Sequence, residues 1–477
     1  QQTLRNTIDW SFDLLTEAEQ KLLSRLSVFW GGCTLEGAEA VCNTKDDLGA
    51  EIFELMSSLV DKSLIQQRQQ NDEEPRFRML ETIREYSLER LQQSGEEAST
   101  KRAHAAYCLV LAEEGNPQLN EPERAAWLMR CDIEHDDFRA ALDFLFHTRD
   151  LDWGFRLCTA LFRFWDMREH SAEGRARVEQ FLELAGANYT RERAKSCLFL
   201  TAFTTAQGDF PAAAYFSELG RSLFEELNDP WGIALSWNAS AIAARDQGDY
   251  ISAQSNIEKS LTFWRTSGDR VAIARCLHNL ANVSKISGDH ARARMALTEA
   301  MQIFQELGDD SGAAWALNQH GDVAREQGDL PGARALYERA LFTFRSTGDR
   351  WGQARSLADL GIIACELGEH SSAFANFRES LDIFTRLEHR RGIARVLEGL
   401  ACHARAKGDA RRAISVAAAA SHLRQLVSAP LPPAEQSKLD QKLLGAWEQL
   451  GEPEGKKAWT EGYAMTMENA IRYALAD

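Results

Sequence analysis

Residues 328–369 read GDLPGARALYERALFTFRSTGDRWGQARSLADLGIIACELGE, opening on Gly328-Asp329 and closing on Gly368-Glu369. The same Gly-acid pair stands at Gly208-Asp209, Gly248-Asp249, Gly288-Asp289 and Gly408-Asp409, so this stretch is one period of a forty-residue repeat. Self-similarity at such a period indicates a solenoid of stacked supersecondary units. In a solenoid, function is a matter of recognition along a surface.

Between Arg191 and Val427 apolar residues recur at spacings of three and four, and Gly-Asp punctuates the turns, which predicts two helices per unit. Ala234, Ala274, Ala314, Ala354 and Ala394 form one column, and Phe224, Trp264, Phe304, Phe344 and Phe384 form another. Small residues let helices approach and aromatics fill the space between neighbours. One unit alone could not bury its apolar face.

Leu317, Gly321, Ala333, Tyr337 and Ala340 resemble the tetratricopeptide pattern, as do Leu357, Leu360, Gly361, Ala373 and Phe377 one repeat on. The forty-residue unit exceeds the usual ~34 residues, which implies longer helices. The resemblance to long tetratricopeptide variants implies a concave groove that holds peptides or protein segments. The first helix of each hairpin is placed on that groove by analogy, and residues three and four apart then share its inner face. The candidate groove residues are Asn238, Arg245, Arg275, His278, Asn282, Lys285, Trp315, Asn318, Asp322, Arg325, Arg355, Arg395 and Arg405. Arg245, Lys285, Arg325 and Arg405 stack into one basic ladder, and Arg275, Arg355 and Arg395 into a second. Such a face suits an extended acidic or phosphorylated ligand, with Asn for its backbone and Trp315 as an apolar anchor. The alternative is a solvated face whose cations pair with Asp246, Glu326, Asp359 and Glu398.

Composition narrows the partners. A formal net charge of −17 over 477 residues opposes a surface built for nucleic acid or anionic membrane. Nine cysteines without a CxxC pair suit reduced thiols in a cytoplasmic protein, with no disulfide framework or zinc site. No apolar run reaches membrane-spanning length, and Gln1 to Asp9 lack signal-peptide features. A chain that starts without Met just before a helical pattern suggests a fragment of something longer.

Residues 1–95 do not share the period. Leu4 to Leu15 predicts a helix, and Thr16 with Glu19 is a capping-box signature for a second helix reaching Phe29, broken by Gly31-Gly32. Thr34 to Cys42 and Leu48 to Lys62 predict two more helices. Ser63 to Gln67 and Arg76 to Leu80 read as strands around the turn Gln69 to Pro75, and Glu81 to Gln93 as a closing helix. This order suggests a winged helix. The helix before the wing and its approach carry Asp46, Asp47, Glu51, Glu54 and Asp61 against Lys45 and Lys62, which opposes direct nucleic-acid contact.

The segments Leu4 to Leu15, Val28 to Ala38, Leu59 to Leu64 and Arg76 to Tyr86 resemble the bacterial signal-transduction ATPases with numerous domains (STAND), relatives of the NB-ARC nucleotide switches. The resemblance continues in Glu134 to Leu142, Phe164-Trp165, Glu173 to Arg175 and Trp459 to Met465. It implies a transcriptional or signalling switch in which a P-loop domain binds ATP or ADP, a winged helix clamps the bound ADP, and the repeats sense an inducer. Gly451 to Lys457 lacks P-loop spacing, so no cofactor is expected in these residues and ATP or ADP belongs to a domain of the longer protein. Related switches carry a Met-His-Asp motif at the nucleotide. The matching residues here are Met79, Leu80 and Glu81, and Leu80 neither donates a hydrogen bond nor carries charge. Their other reading is an apolar strand end leading into a helix with Glu in its first turn.

Residues 96–190 read as an aromatic-rich helical bridge with degenerate repeats, 191–428 as six forty-residue repeats, and 429–477 as a cap with helices at Ala434 to Leu450 and Gly455 to Leu475. The cluster Glu134, His135, Asp136 and Asp137 is no shared metal site, because adjacent helical residues point apart. No catalytic constellation emerges, so no enzyme is expected. The expected fold class is all-α: a right-handed α-solenoid of tetratricopeptide-like hairpins after a winged helix with a small β-hairpin. The expected function is a sensory arm that binds a protein or peptide inducer, acidic in character, and relays it through the winged helix to an intramolecular NTPase domain. A passive scaffold and a small-molecule sensor are the alternatives. The fragment is expected to be monomeric and to contact no membrane.

Overall fold

The computed structural model describes residues 2–68, 75–115, 121–186, 190–427 and 429–476. The turn expected from Gln69 lies outside them up to Pro75.

Helix α1 (Gln2–Asp13) precedes a capping box: Thr16 accepts the Glu19 amide, and the Glu19 carboxylate accepts the Thr16 amide at 2.8 Å, starting α2 (Glu17–Leu26). Helix α2 stops short of Phe29. The amides of Val28 and Phe29 bond three residues back, to Arg25 and Leu26, which tightens the chain out of the helix and buries both side chains. Thr34 caps α3 (Leu35–Cys42). Helix α4 (Ile52–Asp61) begins later than Leu48, because Leu48 turns into the core and the chain reverses at Gly49. Strand β1 (Ile65–Arg68) pairs antiparallel with β2 (Arg76–Met79), Ile65 opposite Met79, and Cys33 bridges to Phe77 on the far side of β2. Helix α5 (Glu81–Ser94) closes this winged helix. Its core is Leu22, Leu23, Met56, Leu59 and Leu91 with Phe12, Phe29, Phe77 and Tyr86 around them.

Helices α6 (Glu97–Glu113), α7 (Glu121–Ile133), α8 (His135–Thr148), α9 (Leu151–Met167) and α10 (Ser171–Ala185) follow. The chain divides into two compact units, residues 1–164 with 180–186, and 165–179 with 187–477. The expected bridge 96–190 is therefore divided between them, and side-chain pairing gives the reason. Arg76 grips Glu134, Asp137 accepts the amides of Trp30 and Gly31, and Arg25 binds Glu96, tying α6–α8 to the winged helix. Residues 165–179 instead serve the second unit: Trp165 lies edge-on to Phe203, and Arg175 binds Asp209 at 2.8 Å.

In that second unit the six hairpins are α11 (Arg191–Ala206) with α12 (Phe210–Glu226), α13 (Pro230–Gln247) with α14 (Tyr250–Ser267), and α15 (Arg270–Ile286) with α16 (His290–Glu306). Then come α17 (Asp310–Glu326) with α18 (Leu330–Thr347), α19 (Arg350–Glu366) with α20 (His370–Arg386), and α21 (Arg390–Ala406) with α22 (Ala410–Leu426). The Ala and aromatic columns are buried throughout. A glycine column missed in the sequence explains their fit: the rings of Phe224, Phe304, Phe344 and Phe384 lie on Gly232, Gly312, Gly352 and Gly392, where an added Cβ would come within 2.0–2.5 Å of the ring. Each turn works by two devices. Gly248, at φ 97°, ends α13 in the left-handed region, and Asp249 then accepts the Ser252 amide to start α14. The same signal opens the first helices as well, at Gly268-Asp269, Gly308-Asp309 and Gly348-Asp349, so the period halves to two nearly equal helices.

From α12 to α22, Asn228 replaces the glycine before α13, but the acidic member of the pair is lost only at Glu388-His389 before α21. There the buried Glu169 carboxylate, from the α9–α10 turn, accepts the amides of Arg390 and Arg391 at 3.1 and 2.7 Å and supplies the anion an Asp cap would bring.

Helix α23 (Pro433–Tyr463) kinks at Gly451, and Gly462 abuts the Ser415 backbone of α22 so closely that a Cβ would meet it at 2.1 Å. The second cap helix ends at Tyr463 rather than Leu475. Thr466 caps a separate α24 (Met467–Ala474) there.

Candidate functional site

The first helices of five hairpins, α13, α15, α17, α19 and α21, line a cavity of about 1380 Å³. Of the residues expected in a groove, Arg245, His278, Asn282, Lys285, Trp315, Asn318, Asp322, Arg325, Arg355, Arg395 and Arg405 all lie on its wall. Asn238 and Arg275 do not. Asn238 accepts a hydrogen bond from Asn279 between neighbouring first helices, and Arg275 is exposed outside the cavity, which removes it from the second ladder.

The ladders are ion clusters built across repeats. Asp322, 7% exposed, accepts from Tyr337 at 2.7 Å and Lys285 at 3.0 Å, with Arg355 at 3.7 Å. Asp359, 1% exposed, accepts from Arg355 and Arg395 at 2.8 Å and from Asn318 at 3.0 Å. Asn318 in turn accepts the Ser356 hydroxyl at 2.7 Å. Burial pushes both carboxylates' pKa values up, yet the surrounding cations prevail and hold both below the usual range. Arg325 reaches only Glu366, at 3.5 Å, and Arg405 has no carboxylate within ion-pair distance among the described residues. Arg245 pairs with its neighbour Asp246. Thus Asp246 and Asp359 take the partners that the solvated-face reading gave them, whereas Glu326 binds Lys438 and Glu398 binds Arg424.

His278 records the balance. Burial together with Arg245, Lys285 and Arg355 pushes its pKa down to about 4, so the ring is neutral and accepts from Gln319 at 2.8 Å through Nε2. On the same wall Trp315 packs against Trp351 with ring centroids 4.7 Å apart and donates its N–H to Asp349 at 3.2 Å.

One wall was not legible in the sequence. Residues 431–442, the entrance to α23 and its first turns, line the cavity opposite the repeats, and Lys438 and Lys442 reach Glu326 and Glu366. Pro430 meets the turn at Gly208, at the start of the array. The cap therefore bounds the cavity as well as covering α22.

In the winged helix, Met79 packs half-buried on the core, Leu80 is exposed at the start of α5, and Glu81 pairs with Arg84 at 2.7 Å. Arg84 also stacks over Trp30, 3.9 Å from the ring centroid. Of the acidic cluster beyond it, Glu134 holds Arg76, and Asp137 accepts from Trp30, Gly31 and His104.

Residues 15–92 match the winged helix-turn-helix domain family, and residues 232–306 and 278–346 match the tetratricopeptide repeat family. The chain combines a winged helix-turn-helix domain with tetratricopeptide repeats. A Mycobacterium tuberculosis protein whose proposed role is that of an HTH-type transcriptional regulator is 36% identical over 183 residues, 38% of this chain. The match spans only 20% of that relative's length. Among solved structures, a Rap protein complexed with Competence and Sporulation Factor superposes with a TM-score of 0.51 at 15% identity, over 80% of this chain and 99% of its own. This likeness shows the repeat fold. A STAND protein with a tetratricopeptide repeat sensor from Pyrococcus horikoshii covers 91% of this chain and 66% of its own at 16% identity, with a TM-score of 0.42. A winged helix followed by tetratricopeptide repeats is the composition that the sequence resemblance implied, and it is consistent with a regulatory, protein-binding role. No helix among the described residues is long and apolar enough to cross a membrane.

Proposed function

We propose that this chain is the sensory arm of a nucleotide-switch regulator, with the repeat cavity as the inducer site. The observation that carries the reading is the cavity itself: about 1380 Å³, walled by five repeats, with more cations than acids around its buried carboxylates and two indoles at their side. That volume exceeds the ~300–1,000 Å³ typical of small-molecule sites, which favours a peptide or protein segment with acidic groups. The Rap protein, bound to Competence and Sporulation Factor, offers a precedent for this fold. The winged helix passes the bound state to an NTPase domain of the longer protein, where ATP or ADP is handled; the arm performs no catalysis. An inducer acts only by its differential affinity for the two states of the switch.

The test uses Arg325→Glu with Arg405→Glu, because neither guanidinium supports Asp322 or Asp359 by a direct hydrogen bond. Partners captured from native lysate by the parent chain are identified and titrated calorimetrically. The double variant is expected to lose at least tenfold in affinity while keeping its melting temperature. Unchanged affinity refutes the groove.

A further inference from the structure

We propose that Lys285, Arg325, Arg355 and Arg395 form a preorganised subsite for one phosphate monoester of the ligand, with the Trp315–Trp351 pair receiving the group that bears it. The inference rests on the groove reading and adds the chemistry of its anchor.

The subsite carries a surplus of positive charge. Four cations surround two buried carboxylates, Asp322 and Asp359, and every carboxylate oxygen already accepts at least one bond. Bringing in Glu366 brings in Lys442 as well, so the surplus stays at two positive charges. A phosphate monoester carries about −1.5 to −2 near neutral pH and matches it. A single carboxylate would leave a cation unmatched in a partly dry site. The donors are there to receive it: Arg325 and Arg395 line the cavity with 23% and 31% of their side-chain surface open, and Arg325 has Glu366, at 3.5 Å, as its one ion-pair partner among the described residues, whereas Lys285 and Arg355 are held in place by the acids behind them. His278 beside them is held neutral by burial first and by the positive charges of Arg245, Lys285 and Arg355 second. The indoles, 4.7 Å apart and tilted by 42° on the same wall, give an aromatic corner next to the charge.

The probe is phenyl phosphate, titrated calorimetrically into the 477-residue chain above pH 7, with phenyl sulfate as the singly charged control. Saturable binding near 1:1 is expected, at least tenfold tighter than phenyl sulfate and weakened at least tenfold by Arg325→Gln. On saturation the His278 ring, followed by NMR, should titrate at higher pH than in the ligand-free chain, because the bound anion offsets the cations that lower it. Equal affinity for the two probes, or an unmoved His278, overturns the subsite whatever Arg325→Gln does to folding. A phosphoserine tripeptide and a nucleoside monophosphate carry the same group, and the tighter of the two assigns its source. If phenyl phosphate fails while the Arg325→Glu/Arg405→Glu variant still loses its partner, the subsite is wrong and the groove stands. If phenyl phosphate binds while that variant keeps its partner, the groove reading falls and the anion site stands.

Discussion

In the winged helix each buried cation is matched by acids, whereas on the inner side of the repeats the cations outnumber them. Arg25, 4% exposed, binds both Asp47 and Glu96, and Lys45 shares Glu96, so two cations face two acids. Arg76 has Glu134 to itself. Among the described residues the array's Lys285, Arg355 and Arg395 pair only with Asp322 and Asp359, and Arg325 beside them has Glu366 alone, at 3.5 Å. Balanced charge of the first kind fastens one element to another. Unbalanced charge of the second kind awaits something from outside.

The contrast can be broken most severely at Arg25. Arg25→Ala removes the buried guanidinium that binds Asp47, Glu96 and the Cys42 carbonyl, and a hydrogen bond to a charged group is worth about 1.5–3 kcal/mol. Chemical denaturation should show that loss in the winged-helix unit, and a cost under ~1 kcal/mol would contradict its fastening role. Acid should separate the two units next. His278 and His389 have folded pKa values depressed to about 4 and about 3 from an ordinary 6.5, so below pH 6.5 the unfolded chain takes up protons that the folded array refuses. The array's stability is therefore full above pH 6.5 and falls as pH drops toward 4 and then 3. In the winged helix, Asp47 and Glu19 are depressed to about 2 from 3.8 and 4.5, so their contribution is full above pH 4.5 and fades only below it. Hydrogen exchange at pH 5 should show the array loosening first; the reverse order would reject this assignment. The mildest effect belongs to Arg325→Gln, whose one ion pair among the described residues, at 3.5 Å, is worth about 1 kcal/mol or less. A melting temperature close to that of the parent is expected, and a large drop would place Arg325 among the fastening cations.

The sequence made the array legible because its signals are local and repeat. Gly248 ends one helix and Asp249 begins the next within two residues, and the Ala and aromatic columns need only the period to align them. Face geometry likewise placed Arg245, Lys285, Arg325 and Arg355 on one wall. It could not tell which of them were already engaged, since Lys285 meets Asp322 and Arg395 meets Asp359 across repeats, 37 and 36 residues away. Those spacings fall just short of one period, and a search for opposite charges at that offset would have found both pairs. The same register that puts Trp315, Arg355 and Arg395 on the wall leaves Arg275 exposed outside it, which the period alone does not reveal. The wall made by residues 431–442 carries no periodic mark, since it arises only once the array has curved.

That curvature reaches far enough to bring distant residues together. Glu169 holds the amides of Arg390 and Arg391 from more than 200 positions away, and Pro430 rests on the turn at Gly208. An open array is thermodynamically a line, in which each repeat leans on its neighbours and the ends fray first. Here the line is fastened back on itself, so loss of the last hairpin also releases the first, and the repeats should melt as a single cooperative ring.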